Sequence, residues 1–314
     1  MPRLLSCILL CLSLVAPASR AAPPLEVVTT LAQIAEPLAL IAGPRARVSS
    51  LLGPGVDPHL YRLTRSDVAR LTRADLVFYN GLHLEAQMEE MLQSLASRKP
   101  VVAIGAAIDP ARLRDDDGPA HDPHVWMDPA LWRVALEAAV ATLIKADPAG
   151  ADGYRSRARD YFQRLNHLRA YVGEVLATVP AGARVLVTAH DAFGYFGHAF
   201  GLEVLAIQGI STESEAGLRR IEELVDVLVR RRIGAVFVES SVSPRSVRAL
   251  IDGAAARGHQ VRIGGELYSD AMGSPGDYTG TYIGMLDHNA STVARGLGGR
   301  VPAGGMLGRL ADLH

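Results

Sequence analysis

The sequence predicts an α/β fold of two lobes, each a mainly parallel sheet flanked by helices, joined by one long rigid helix. Three observations lead there. Short β-rich runs alternate with helical stretches over residues 25–105, the same alternation restarts over 184–267, and one unbroken helical pattern lies between the two sets.

In the first set the runs are "LEVVTT" (25–30), "RVSSLL" (47–52), "LVFYNG" (76–81) and "VVAIG" (101–105). Helical stretches such as "RSDVARLTRA" and "LEAQMEEMLQSLA" separate them. Alternation of this kind argues for parallel strands with helices on both faces. The second set is "RVLVTAH" (184–190), "EVLAIQGI" (203–210), "AVFVESS" (235–241) and "QVRIGGEL" (260–267). Here "ESEAGLRRIEELVDVLVRR" and "SPRSVRALIDGAAARG" supply the helices.

The middle segment runs from Asp152 to about Thr178. Tyr154, Ala158, Tyr161, Phe162, Leu165, Leu168, Val172, Val175 and Leu176 follow one another in steps that keep one face apolar. Asp147-Pro148 marks a start and Pro180 a stop. Such a helix reaches roughly 40 Å, the height of a small two-lobed protein. It is expected to act as a strut that resists wide opening of the lobes. The expected division is a leader over 1–21, an N-terminal α/β lobe over 22–150, the linking helix over 151–179 and a C-terminal α/β lobe over 180–314.

The leader has its own composition. "MPR" is a short basic start, "LLSCILLCLSLVA" an apolar stretch and "PASRAA" a run of small residues. Together they predict a secretory signal peptide cut near Ala18 or Ala21. An N-terminal anchor helix is the other reading, although the apolar stretch is short for a membrane span. "LLSC" superficially resembles a lipidation box, but Cys7 stands too near the start to have an apolar region before it. Cys7 and Cys11 are the only cysteines, so cleavage leaves no thiol for a disulfide, a nucleophile or a metal. Losing Arg3 and Arg20 with the leader takes the formal charge from −1 to −3. No basic field argues for nucleic acid. A mildly acidic, thiol-free exported protein fits the periplasm or an extracytoplasmic surface.

The chemistry gathers at strand ends. Asp57-Pro58-His59 and Asp122-Pro123-His124 repeat one word. Proline fixes its own φ and pushes the preceding residue into extended backbone, so each histidine leaves a stiff bend. His190 ends "RVLVTA", and Asp270 closes "IGGELYSD". In open parallel sheets ligands bind beyond the carboxyl ends of the strands. A site between lobes would receive His59 and His124 from the first and His190 and Asp270 from the second. Three imidazoles and a carboxylate suit a first-row divalent metal. Spacing alone leaves this open against rigid turns with incidental histidines, because no HExxH or paired-cysteine motif forces the groups together.

Five stretches resemble one family in order and in register. They are "GVDPHLYRLTRSDVARLTRADLVFYNGLHLE", "DPHVWMDP", "TAHDAFGYFGHAFGLEVLAIQGISTESEA", "FVESSVSPRSVRALIDGAAARGHQVRIGGELYSDAMG" and "GTYIGMLDHN". The family is that of the metal-specific solute-binding proteins of ABC transporters, cluster A-I or TroA-like, and the likeness runs from about residue 25 to about 297. The resemblance implies a two-lobed receptor with a rigid long helix, holding one Zn2+ or Mn2+ between lobes and delivering it to an ABC permease. It also implies the ligand set His59, His124, His190 and Asp270, the third position being histidine in some members and glutamate in others. The protein is expected to work as a monomer and not as an enzyme. One departure concerns the loop before the second ligand, histidine-rich in many zinc-dedicated members. Here it is "RDDDGPAH", with His121 alone, which leaves manganese open.

The remaining candidates are weaker. His121 could capture an ion in transit or be a solvated loop residue. His83 in "NGLHLE" is expected on the surface or behind a ligand, and His198 on a helix surface. His167, His259, His288 and His314 receive no role. Glu239 could orient a ligand imidazole or form a salt bridge. The rival function is an exported metal hydrolase, in which Glu239 or Asp191 would serve as general base beside an open coordination position. For a surface adhesion module there is no binding-surface pattern.

Overall fold

The computed structural model describes residues 23–115 and 121–311; the leader, most of the acidic loop and His314 lie outside the described residues. Strands β1 (Leu25–Thr29), β2 (Ala46–Ser50), β3 (Leu76–Tyr79) and β4 (Val101–Ala103) form one parallel sheet in the order β2-β1-β3-β4. Helices α1 (Ala32–Ala42), α2 (Arg65–Arg73), α3 (Glu89–Ala96) and α4 (Pro129–Ala146) belong to this half. Helix α2 begins in a reciprocal cap, Thr64 accepting the Asp67 N–H while Asp67 accepts that of Thr64.

Helix α5 (Ala151–Ala177) crosses to the second half. Eight of the nine expected stripe residues are buried; Phe162 is half-buried. Burying an apolar side chain of this size contributes about 1.5–3 kcal/mol. The stripe therefore outweighs the roughly 1 kcal/mol that each interior glycine, Gly153 and Gly173, costs the helix.

In the second half β5 (Val185–Thr188) pairs in parallel with β6 (Glu203–Ala206), and β7 (Ala235–Glu239) with β8 (Arg262–Leu267). β5 and β7 lie next to each other. Helices α6 (Gly194–Phe200), α7 (Leu218–Arg231), α8 (Arg245–Ala256) and α9 (Tyr282–Gly296) complete the half. The β7–β8 register slips between Val236 and Phe237. There β8 runs against α9 so closely that a Cβ on Gly265, whose φ is +148°, would meet the Thr292 methyl at 2.3 Å. Among the described residues, all eight strands fall where the sequence places them.

Helix α5 packs against α1 and α4 of the first half and α9 of the second. One apolar core runs through this layer, from Val27 and Phe78 under the first sheet to Phe237 and Leu267 of the second. A second, smaller core lies within the second half between its sheet and α7 and α8. Polar contacts tie the halves as well. Tyr282 stacks on Trp132 and donates its hydroxyl to the carbonyl of Trp126, whose indole donates to the carbonyl of Ser269. No described helix is long and apolar enough to cross a membrane.

Candidate metal centre

Each expected site residue stands on a loop at the carboxyl end of a strand, and the same local device sets both Asp-Pro-His bends. Asp57 Oδ1 accepts the N–H of His59 at 2.9 Å, and Asp122 Oδ1 that of His124 at 2.9 Å. The aspartate closes a short turn across the proline and fixes where the histidine starts. Asp122 does more, because the same oxygen lies 2.8 Å from His124 Nδ1. That bond sets the ring orientation and leaves Nε2 for the site. His190 follows β5, and its N–H donates to Glu239 Oε1 at 2.9 Å while its Nδ1 lies 2.5 Å from Glu239 Oε2. Asp270 follows β8, its own carbonyl held by Gln33 Nε2 at 2.9 Å.

The four side chains come together. One donor atom from each of His59, His124, His190 and Asp270 lies within 4.8 Å of the other three, and all four residues are buried. His124 Nε2 is 3.3 Å from Asp270 Oδ1 and His190 Nε2 is 3.3 Å from Asp270 Oδ2. His59 Nε2 is 3.3 Å from His124 Nε2 and 3.9 Å from Asp270 Oδ2. Donors at about 2.0–2.1 Å around a tetrahedral ion stand about 3.3 Å apart. The set therefore needs little movement to close on one ion.

Polar accounting points the same way. Both Asp270 oxygens and His190 Nε2 are buried without a hydrogen-bond partner. Leaving such atoms unpaired is costly, and a cation among them would satisfy all three. Without an ion, protons take that place. Burial works against a charge on His124, but the hydrogen bond to Asp122 and the nearby Asp270 carboxylate outweigh it and take the group up to about 9. His190 rises well above the usual imidazole value, burial being overcome by Glu239 and Asp270. Burial opposes the Asp270 charge too, yet His190 and His124 hold the carboxyl well below its ordinary range. Burial dominates at His59 and pushes it down to about 4.

The other histidines stand elsewhere. His83 is exposed and lies 2.9 Å from Glu89 Oε1. His121 is half-buried, with Nδ1 3.4 Å from Asp115 Oδ1. His198 and His167 are exposed on α6 and α5. His259 Nε2 lies 2.8 Å from the Ile233 carbonyl and His288 Nε2 2.9 Å from that of Glu266.

Several supporting residues escape a linear reading. Glu85, fully buried and pushed up to about 7 by that burial, accepts from Thr30 Oγ1 and from the N–H groups of Asn80 and Gly81. Asn80 in turn donates to the Pro123 carbonyl, one residue before His124. Trp126 and Gln33 hold the Ser269-Asp270 backbone. The only trace in the sequence is the tryptophan inside "DPHVW".

Glu239 gives a direct check. Removing the acceptor behind a metal-binding imidazole typically costs 10–100-fold in metal affinity. Glu239→Gln is expected to weaken binding by roughly that factor, read by calorimetric titration; an unchanged constant would separate Glu239 from the site.

The chain is similar to known proteins in both sequence and fold. Residues 27–296 match the family described as ZnuA, zinc-uptake complex component A, periplasmic. The manganese-binding lipoprotein MntA of Bacillus subtilis (strain 168) is 46% identical over 274 residues, covering 87% of this chain and 90% of that protein. The zinc-binding protein TroA of Treponema pallidum (strain Nichols) is 45% identical over 271 residues, covering 86% and 88%. The solved structure of the periplasmic zinc-binding protein TroA from Treponema pallidum superimposes with a TM-score of 0.86 at 44% identity, covering 87% of this chain and 99% of that one. With a family match over most of its length and relatives this similar across nearly their whole extent, the chain belongs to the ZnuA/TroA-like family of zinc-uptake component A proteins.

Proposed function

We propose that the protein binds one divalent transition-metal ion, Zn2+ or Mn2+, outside the cytoplasm and delivers it to the membrane permease of an ABC importer. His59, His124, His190 and Asp270 are the ligands in this reading. Residues 1–21 are an export signal that is cleaved, 22–150 and 180–314 are the lobes, 151–179 is the linking helix, and the protein acts as a periplasmic monomer.

The carrying observation is the buried set of four donors in which neither Asp270 oxygen accepts a hydrogen bond. Four protein donors enclose an ion and leave no open position for a substrate, which favours carriage over catalysis. Glu239, the best general base for a hydrolase, places both its oxygens on His190. Because the two Asp270 oxygens face different imidazoles, the carboxylate can offer one donor or two. That suits zinc at four donors and manganese at five.

The test is titration of metal-stripped protein with each ion, expecting one ion per chain. Zinc should win direct competition whichever ion is carried, since it stands above manganese in the general affinity order. Elemental analysis of protein taken from its native compartment therefore names the cargo. Protein that binds neither ion would overturn the reading.

A further inference from the structure

Segment 207–217, between β6 and α7, starts beside the His190 loop and reaches the Asp57-Pro58-His59 bend. Its base is pinned to the His190 loop. The Gln208 N–H donates to the Ala189 carbonyl at 2.9 Å, and the Asp191 N–H donates to the Gly209 carbonyl at 3.3 Å. Its far part crosses the seam between the halves. Thr212 Oγ1 donates to Asp57 Oδ2 at 2.6 Å, and Gln87 Nε2 donates to Glu213 Oε1 at 2.9 Å. The other Asp57 oxygen accepts the His59 N–H. One carboxylate therefore joins the first histidine of the site to a hydroxyl carried by the opposite lobe.

Of the two cross-seam bonds, that of Thr212 carries more. Gln87–Glu213 is exposed, where water competes for both partners. Thr212–Asp57 is short, partly buried and made to a carboxylate, the stronger kind of hydrogen bond. His59 is also the outermost of the four, farthest from Asp270 at 3.9 Å and the one whose side chain keeps some exposure. Beside it a cleft of about 430 Å³ is lined by Asp57, Leu60, Gln208 and Thr212.

We propose that Thr212 is a positioning residue that sets the residence time of the ion, acting through Asp57 to keep His59 in place. This rests on the ligand set proposed above. With the hydroxyl gone, the His59 bend keeps its own turn but loses its hold on the second lobe. The ion then sheds His59 more often and leaves sooner. Capture changes little, because differences between related complexes fall mostly on dissociation.

The experiment loads wild type, Thr212→Val and Thr212→Ser with zinc and follows release to excess chelator by stopped flow. Valine keeps the shape without the hydroxyl; serine keeps the hydroxyl. Thr212→Val is expected to release zinc about ten-fold faster, the scale set by a hydrogen bond to a charged group. Association should stay within about two-fold of wild type, and Thr212→Ser should release at the wild-type rate. Wild-type release from Thr212→Val, equally fast release from both variants, or an association rate that falls as much as release rises would overturn the proposal. A wild-type protein that takes up no zinc would instead overturn the ligand set itself.

Discussion

Asp270→Asn should weaken metal binding by well over roughly 100-fold, the upper end of what losing an outer partner of a metal-bound imidazole costs. Asp270 is the only carboxylate among the four donors and the only one to bring a negative charge. An amide of the same shape offers one neutral oxygen, and its NH2 group would face an imidazole nitrogen. The substitution also removes the counter-charge of His124 and His190, both held in their protonated forms by it in the metal-free protein. Losing one partner of a buried pair is destabilising, so a second variant keeps binding and folding apart. His59→Ala removes an imidazole that burial already keeps neutral, at about 4, and strands no charge. It is expected to lose affinity on a comparable scale with its metal-free circular dichroism and melting curve unchanged. Calorimetric titration decides both; either variant binding as tightly as wild type would remove that residue from the ligand set.

Affinity should also rise steeply with pH. Metal must meet unprotonated Nε2 atoms. At pH 7 the metal-free protein carries protons on His124, at about 9, and on His190, well above its usual value. His59, at about 4, carries none. The free form thus binds more protons than the loaded form, so each rise in pH favours loading. About two protons leave per ion near neutrality, and the binding constant changes by roughly 100-fold per pH unit there. Above about 9 the slope eases as His124 gives up its proton unaided. Titrations in two buffers of different ionisation enthalpy count the protons directly. A constant that stays level between pH 6 and 8 would contradict this charge arrangement.

The legible parts of the chain are those whose neighbours are local. The eight strands are short apolar runs between turns, and α5 shows one clean stripe because its other face meets water. The stretch that becomes α9 shows no such stripe. α9 is buried over almost its whole length, with Asp287, Asn289, Ser291 and Thr292 hidden among apolar residues. α1 even carries Pro37 inside. α9, wrapped on nearly all sides, loses the polar face that periodicity needs, whereas α1 turns apolar Ala39 and Leu40 outward and so blurs its own pattern. The site divides in the same way. The two Asp-Pro-His bends are local devices, and His59 and His124 stand out from the sequence for that reason. Their supports are not local. Gln33 reaches the Asp270 carbonyl across 237 positions, Thr212 reaches Asp57 across 155, and Trp126 reaches Ser269 across 143. Glu239 behind His190 sits between, visible as a strand-end carboxylate whose partner only the fold names.

The apolar interior shared by α1, α4, α5 and α9 has a consequence for ancestry. Modular proteins trade pieces by recombination because each piece brings a finished interior of its own. Here a crossover anywhere near the middle of the gene would hand the recipient an unmatched half of one jigsaw. New metal preferences in this lineage should therefore have arisen by point changes within an intact chain, with both halves descending together.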